Sequence, residues 1–389
     1  MTDVTCRAFT ERDYPAVREI IAGAFGDHVR DNPVALEQLD REPWYDPAHL
    51  VVAESGGEVV SFLGVRDSGL WLGGRLLSVG LVGTVCTREV VRGRGIGSRL
   101  VRFAHERMAA QGLAVSVLHT SEVRYAFYER LGYRRAVTEQ PRLMVNLSAA
   151  TAASASGSRA ATAHDAAALN ALYAATYGQA TGAWGRSDAF WQRRLDGVPK
   201  LWSRVLRFEV AGSGAPEAYA AYEETEGAGT VHELACAAGA EDAAVGLLQE
   251  LLVRWRENGV LVAELDLSST HPLRPRVAPL VAEDRTGWDV VFTRVHDEDA
   301  FLNAATSLLQ ERARAAGFRL TVERQGDAVV LGGPGEEPLQ VELAELAALV
   351  YNGRLAVTHE GLAGRMAARP WTEGLFPDTG AARCGLDGY

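Results

Sequence analysis

The spacing of apolar residues divides the first part of the chain into alternating strands and helices. Apolar side chains recur at helical intervals over Glu11–Phe25, and they alternate or run together over Leu50–Glu54 and Glu58–Arg66, which a Gly-Gly turn separates. Leu76–Thr87 predicts a long strand, and Leu113–His119 is apolar enough for a sheet covered on both faces. The other predicted elements are a strand Thr5–Thr10, a helix from Ile96 that Gly112 stops, a short helix Glu122–Leu131, and a strand from Tyr133 into Leu143–Leu147. The pattern predicts a mixed α/β domain over residues 1–147.

The same order of elements returns further along the chain. Residues 148–164 are rich in Ala, Ser, Thr and Gly, which is typical of a linker. The elements predicted after it are a helix Asp165–Tyr177, strands Leu206–Val210, Glu217–Glu223 and Gly229–Cys236, a helix Glu241–Asn258 and a strand Leu261–Leu267. We therefore expect residues 165–286 to form a second copy of the first fold.

A third unit is predicted over residues 287–389. Its expected elements are a strand Trp288–Val295, a helix Asp297–Ala316, two strands around Gly326, a helix Leu343–Tyr351 and a helical segment Leu362–Met366, followed by a Pro- and Gly-rich tail. A chain of 389 residues exceeds the size at which single cores stop growing, so two or three domains are expected.

Composition and charge limit the kinds of molecule that the protein is expected to bind. A net charge of -11 disfavours nucleic acid and would attract cationic small molecules or basic peptides, although it also serves solubility alone. The four cysteines are widely spaced and the histidines are scattered, so no metal site is expected. Because we find neither a membrane-spanning apolar run nor a secretory signal, we expect a cytoplasmic protein.

A glycine-rich loop follows the long strand and precedes a helix. It consists of Arg92, Gly93, Arg94, Gly95, Ile96 and Gly97. Glycines let the backbone approach a ligand closely, and amides at a helix start point their partial positive charge at an anion. With two arginines added, the loop is predicted to bind a pyrophosphate.

The second copy lacks this chemistry. At the corresponding position it has Ala237–Asp242, in which Glu241 and Asp242 would repel a pyrophosphate. We interpret the second copy as a scaffold.

The glycine loop, its flanking elements and the segment Phe127–Tyr133 together resemble the GNAT superfamily of N-acetyltransferases over about the first 147 residues. In that family an R-x-x-G-x-G loop holds the pyrophosphate of acetyl-CoA, and the preceding strand offers backbone groups to the pantetheine arm and the acetyl carbonyl. The residues that the resemblance implies for acetyl-CoA binding are Val85, Cys86, Thr87, Arg92, Gly93, Arg94, Gly95, Ile96, Gly97, Ser98, Ser121 and Glu122.

The resemblance also implies a catalytic acid. Tyr128 matches the family tyrosine that reprotonates the CoA thiolate, and an ordinary phenol needs little tuning of its pKa for that task. The alternative is that Tyr128 packs only as core, with Tyr125 and Tyr133 as less favoured acids. Cys86 is interpreted as a bystander rather than a nucleophile, because the family transfers the acyl group directly and no base partner is evident.

The whole chain resembles the narrower enhanced intracellular survival family, through the segment Leu118–Glu122, the three-unit layout and the terminal aromatic residue. That resemblance implies tandem GNAT folds, the second degenerate, then a sterol-carrier-like domain, and a symmetric homo-oligomer, often a hexamer. It also implies that the carboxylate of Tyr389 is the base and that Asp27 lines the amine pocket. A disordered chain end and a solvated aspartate are the alternatives.

These observations predict an acetyl-CoA-dependent N-acetyltransferase that acts on a primary amine of a cationic small molecule, such as an aminoglycoside or a polyamine. The alternatives are a protein lysine acetyltransferase, which the acidic charge would suit, and a non-catalytic binder of acyl-CoA or lipid. Loss of Tyr128 or of the glycine loop would favour the non-catalytic alternative, and neither is lost.

Overall fold

Two large β-sheets and a small one organise the chain. The structure, a computed structural model, describes residues 4–25, 47–151, 157–196, 206–212, 214–335, 337–352 and 360–376. Within these residues lie an eight-stranded sheet, a seven-stranded sheet and a three-stranded sheet. This mixed α/β architecture agrees with the fold class that the sequence predicts.

The helices and strands follow in chain order. The first part contributes β1 Val4–Ala8, α1 Tyr14–Phe25, β2 Leu50–Ser55, β3 Glu58–Leu72, β4 Arg75–Thr87, α2 Ile96–Ala110, β5 Val115–His119, α3 Tyr125–Glu129, β6 Arg134–Gln140 and β7 Leu143–Val145. The middle part contributes β8 Arg159–Ala160, α4 Ala166–Tyr177, β9 Trp184–Gly185, α5 Asp188–Leu195, β10 Arg207–Ala211, β11 Ala218–Thr225, β12 Ala228–Cys236, α6 Glu241–Glu257, β13 Val262–Leu265, α7 Arg274–Val277 and β14 Val281–Asp284. The last part contributes β15 Gly287–Val295, α8 Glu298–Ala315, β16 Thr321–Gln325, β17 Ala328–Gly332, β18 Leu339–Glu342, α9 Leu343–Asn352, α10 Glu360–Ala367 and α11 Thr372–Leu375.

Two strands lie in a different sheet from the one that the sequence predicts. β15, expected to open the third unit, lies in the first sheet between β5 and β6, antiparallel to both. β7, expected to close the first unit, lies in the second sheet between β13 and β14. Apolar spacing indicates a strand and its faces, but it does not specify the partner strand. A boundary at residue 147 therefore separates β7 from the second sheet, to which it belongs. A boundary at residue 287 likewise separates β15 from the first sheet.

The first sheet is covered on both faces. Alternate residues of β5 point to opposite sides, so that Val117 belongs to the same buried cluster as Leu308 of α8, whereas Leu118 belongs to the cluster that contains Leu100 of α2. The third unit therefore shares a core with the first sheet. Its own three-stranded sheet, in the order β16-β17-β18, packs against α9 and α10, and the likeness to sterol carriers stays a prediction.

A buried polar network ties α2 to the first sheet. Ser116 Oγ donates to Tyr133 Oη at 3.0 Å, and Nε2 of His105 lies 3.3 Å from the same phenol oxygen. His296, which directly follows β15, places Nε2 2.8 Å from Ser116 Oγ. Burial, with a smaller effect of the nearby Arg294, lowers the pKa of His105 to about 3 and that of His296 to about 4.

We expect acid to destabilise the fold through this network. Because both imidazoles stay neutral when folded, the unfolded chain binds more protons below pH ~6.5, so stability falls as pH drops from there toward 4. Each pKa unit corresponds to about 1.4 kcal/mol, so the loss amounts to several kcal/mol. Urea unfolding between pH 7.5 and 4.5 measures it. His296→Gln should weaken the dependence of unfolding free energy on pH, whereas His164→Gln, at an exposed position, should leave it unchanged. An equal pH dependence in both variants would contradict this account.

Candidate functional site

The glycine loop adopts a backbone that only glycine accommodates easily. After a turn at Glu89–Val91, Gly93 and Gly95 have φ angles of 77° and 76°, and Gly95 is the N-cap residue of α2. A Cβ at either position would meet nothing within 4 Å, so backbone conformation rather than crowding selects glycine there. The amides at the start of α2 therefore lie at an open surface.

Two arginines add positive charge to this surface. Arg92 Nε donates to the Thr87 carbonyl at 3.0 Å, which holds the guanidinium against the end of β4. Arg94 is exposed and its Nη2 donates to the Val90 carbonyl at 3.5 Å, so the hydrogen-bond partners of both arginines in the described part of the chain are backbone carbonyls. A helix N-terminus of a 15-residue helix and two cations with neutral partners make a favourable site for an anion such as pyrophosphate.

Beside the loop, β4 and β5 separate. Their parallel pairing ends at Leu81 and Val117, although β4 continues to Thr87 and β5 continues to His119. A bulge accompanies the separation, because the register against β3 shifts between Phe62 and Gly64, and Thr84 has a φ of 53°. The two strands therefore leave an opening between their carboxyl ends, next to the glycine loop.

Gly97 is the point at which the parts of the site meet. A Cβ there would lie 3.6 Å from Thr87 Oγ1, at the end of β4, and 3.8 Å from Cζ of Phe127 in α3. The glycine loop, the end of β4 and the helix that carries Tyr128 are thus brought together, as the predicted site requires.

Tyr128 lies in an aromatic cluster under the opening. It is 5% exposed, and its ring packs against Phe127, Tyr133 and Phe292 at centroid distances of 4.9, 5.7 and 6.2 Å. Burial raises the pKa of Tyr128 to about 12, an effect that Arg124 partly offsets and Cys86 reinforces. The expectation of an ordinary phenol pKa was therefore wrong: the group is a weaker acid, and it stays protonated throughout the neutral range.

Cys86 is buried at the end of β4 with its thiol protonated. Burial raises its pKa to about 12 despite the nearby Arg92, and Sγ lies 3.4 Å from the Thr84 carbonyl. A thiol that does not ionise at neutral pH is a poor nucleophile, which favours the bystander interpretation.

The remaining predicted residues lie in different surroundings. Val85 and Thr87 follow the bulge, and Thr87 Oγ1 lies 2.8 Å from Ser61 Oγ. Ser98 lies in the first turn of α2. Ser121 Oγ accepts a hydrogen bond from Arg124 Nη1 at 2.8 Å. Glu122 follows β5 and is exposed. Asp27 and Tyr389 lie outside the described residues.

Sequence reasoning missed the bulge at Thr84 and the position of Arg124. Gly83, directly before Thr84, is the available signal, since a glycine inside a strand often marks a bulge. Arg124 carried no signal of its own, because its nearness to Tyr128 depends on how a short turn at Glu122–Arg124 leads into α3.

In the second copy, the chain's own side chains occupy the equivalent positions. Glu241, at the start of α6, accepts a hydrogen bond from the Gly239 amide at 3.3 Å, and its own backbone amide together with that of Gly239 lowers the pKa of its carboxyl group. At the end of β12, Thr176 Oγ1 accepts from the Cys236 amide at 3.0 Å, and Nε2 of His271 lies 3.0 Å from the Leu234 carbonyl. Amides at the helix start and backbone groups at the strand end are thus engaged within the chain.

The family of GNAT acetyltransferase domains matches residues 5–136. The match covers 132 of the 389 residues, about a third of the chain. The matched segment contains the glycine loop, the separated strands and Tyr128, so the geometry and the family likeness concern the same residues.

Curated relatives match about a third of the chain. A mycothiol acetyltransferase of Streptomyces avermitilis is 30% identical over 137 residues, which cover 33% of this chain and 42% of that protein. A mycothiol acetyltransferase of Thermobispora bispora is 34% identical over 132 residues, covering 32% of this chain and 44% of that protein. The chain thus spans less than half the length of these curated relatives.

Solved structures extend the likeness of fold to nearly the whole chain. A GCN5-related N-acetyltransferase from Kribbella flavida superposes with a TM-score of 0.69 at 19% identity, covering 98% of this chain and 97% of that one. Eis1 from Mycobacterium abscessus superposes with a TM-score of 0.66 at 18% identity, covering 99% of both chains. The GNAT-like fold class that the sequence predicts is therefore confirmed.

In the described part of the chain, no helix combines the length and the hydrophobicity that a membrane span requires. Nor does that part of the chain contain a group of three or more His, Cys, Asp or Glu side chains that could hold a metal ion.

Proposed function

We propose that this chain is an acetyl-CoA-dependent N-acetyltransferase that transfers the acetyl group directly to a primary amine of a cationic small molecule. The observation that carries the proposal is the separation of β4 from β5 beside an anion-binding loop, with a protonated Tyr128 in the adjoining helix. Each of these three parts corresponds to one requirement of acetyl transfer from a thioester.

The donor would bind through its pyrophosphate and its thioester arm. The amides at Gly95–Gly97, with Arg92 and Arg94, would hold the pyrophosphate. The arm would follow the end of β4, where backbone groups at Val85–Thr87 would polarise the acetyl carbonyl. Main-chain donors at a developing oxyanion stabilise it by several kcal/mol in favourable cases.

The chemical step would need a neutral amine and a proton donor. The amine nitrogen attacks the carbonyl carbon, the carbon–sulfur bond breaks, and the departing thiolate takes the phenol proton of Tyr128. The amine loses one proton to a base and the phenolate regains one. Because the pKa of Tyr128 is raised to about 12, the transfer requires a thiolate that is itself desolvated and therefore more basic than in water.

A small cationic acceptor is supported by charge and by the relatives. The chain carries a net charge of -11, which attracts cations, and the curated relatives are named mycothiol acetyltransferases rather than protein acetyltransferases. We propose that Asp27 contributes to the amine pocket.

Calorimetry and a competition assay test these claims. Full-length protein should bind CoA in the micromolar range, and absence of binding at millimolar CoA would overturn the proposed function. In one acetylation assay, a polyamine and an aminoglycoside should compete better than a lysine peptide of equal charge. Preference for the peptide would support a protein acetyltransferase and remove the small-molecule acceptor.

The base is proposed to be the terminal carboxylate of Tyr389. Deleting Tyr389, or extending the chain beyond it by a few glycines, should lower kcat while CoA binding measured by calorimetry stays unchanged. A terminal carboxylate has an ordinary pKa of ~3.5, so it would act by accepting the proton through water or by orienting the ammonium group. Unchanged turnover in both variants would eliminate this base and leave the acetyl-transfer proposal standing.

A further inference from the structure

A cavity of about 360 Å³ lies between the second copy and the third unit. One wall comes from the end of α4 and the segment after β13, and it includes Tyr177 and His271. The opposite wall comes from α8 and α9, and it includes Arg312 and Tyr351. The cavity is therefore separate from the glycine loop, and its volume is at the lower end of the range for small-molecule sites.

Arg312 gives this cavity a positive charge. Nη1 donates to the Leu375 carbonyl at 2.9 Å and Nη2 donates to Thr181 Oγ1 at 3.3 Å, so both described partners are neutral. Burial lowers the pKa of Arg312 to about 10 despite the opposing effect of the neighbouring Glu311, which is not among the described lining residues, and the guanidinium stays charged at neutral pH. A guanidinium has five N–H donors, and a partly buried cation is costly unless an anion accompanies it.

The other residues of the wall neither neutralise this charge nor add to it. Among the described residues, the lining contains no aspartate or glutamate. His271 is neutral, because Nε2 donates to the Leu234 carbonyl, Nδ1 accepts from the Leu273 amide at 3.1 Å, and burial lowers its pKa to about 4. The lining thus carries one positive charge, which matches a monoanion better than a doubly charged phosphate.

The rest of the lining suits the small apolar part of an organic ligand. Tyr177 and Tyr351 are each nearly buried and present aromatic surface, and Ala180 and Val350 add aliphatic surface. Hydroxyl groups of Ser268 and Thr270 provide polar atoms on the side of the second copy. We propose that this cavity binds the monoanion of a small carboxylic acid. Its carboxylate group would pair with Arg312, and its apolar part would lie between the two tyrosines.

Such a ligand would bridge two units of the chain. It would contact the second copy and the third unit at once, so its binding should raise the melting temperature of the intact protein. This site does not depend on the proposed acetyl transfer, because it shares no lining residue with the acetyl-CoA site.

Calorimetric titration of the full-length protein with benzoate tests the proposal, with saturating CoA present so that the glycine loop is occupied. Benzoate should bind once per chain, and benzamide, which has the same shape without the charge, should bind at least roughly tenfold more weakly. Arg312→Gln should abolish benzoate binding. The matched variant Arg314→Gln, at an exposed position of the same helix, should leave it unchanged.

A second variant keeps the test decisive if Arg312→Gln fails to fold. Ala180 lines the cavity just after α4, so Ala180→Phe would fill the cavity while retaining Arg312. This variant should also abolish benzoate binding. Absence of benzoate binding to the wild-type protein up to about 10 mM would overturn the proposal. Equal affinity for benzamide, or benzoate binding retained by Ala180→Phe, would overturn it as well.

Discussion

Replacing Tyr128 with phenylalanine is expected to lower kcat by about 10²- to 10⁴-fold while leaving the KM for acetyl-CoA nearly unchanged. The substitution removes one hydroxyl from a ring that packs against Phe127, Tyr133 and Phe292, so the aromatic cluster and the fold should persist. Steady-state kinetics with a saturating amine, together with calorimetric CoA binding, separates the loss of the acid from a loss of donor binding.

Tyr125→Phe provides the matched control. Tyr125 lies in the same short helix, and its ring packs against the Arg135 guanidinium, 4.8 Å from the ring centre. It should retain nearly wild-type kcat. If Tyr128→Phe kept most of its activity while Tyr125→Phe lost it, the acid would have to be reassigned to Tyr125.

The pH profile of the wild-type enzyme adds an independent check on Tyr128. A general acid must be protonated, and this phenol loses its proton only as pH rises through about 12. We therefore expect kcat/KM to rise with pH as the acceptor amine deprotonates, and to show no descending limb below pH ~10. A descending limb near pH 8.5 would indicate a different acid.

The second large effect is expected from Gly97→Asp, which should raise the KM for acetyl-CoA by roughly 100-fold. At an effective dielectric constant near 20, a carboxylate about 6 Å from a pyrophosphate charge costs about 2–3 kcal/mol. Stability should hardly change, because an aspartate in the first turn of a helix is favourable by several tenths of a kcal/mol. The variant would reproduce what Glu241 does in the second copy, where a carboxylate engages the amides at the start of α6.

Gly97→Ala separates charge from size in this experiment. The added methyl would meet Thr87 Oγ1 at 3.6 Å and Phe127 Cζ at 3.8 Å, which are ordinary contact distances. The KM for acetyl-CoA should therefore change by only a few-fold. An equal rise of KM in Gly97→Ala and Gly97→Asp would mean that space, and not the anion-binding field, controls the site.

Local sequence predicted the backbone of the glycine loop, because that conformation depends on nearby residues. Gly93 and Gly95 were identified as loop glycines, and both have positive φ angles. Tyr128 was predicted as the acid from the resemblance of its segment, and that role stays a prediction; burial, with a smaller effect of Cys86, raises its pKa. Its degree of burial could not be predicted, since Phe292, which covers one side of the ring, comes from β15 far along the chain.

The amino-acid sequence by itself determined the order of the elements, the glycine loop and the loss of that loop in the second copy. These follow from apolar spacing and from the backbone freedom of particular residues, which act within a few positions of each other. Only the tertiary structure decided that β7 and β15 are exchanged between the sheets, that β4 separates from β5 beyond Leu81, and that Arg312 faces a cavity between two units. Strand partners and shared cavities depend on which surfaces pack together over the whole chain, and short-range patterns do not encode that choice.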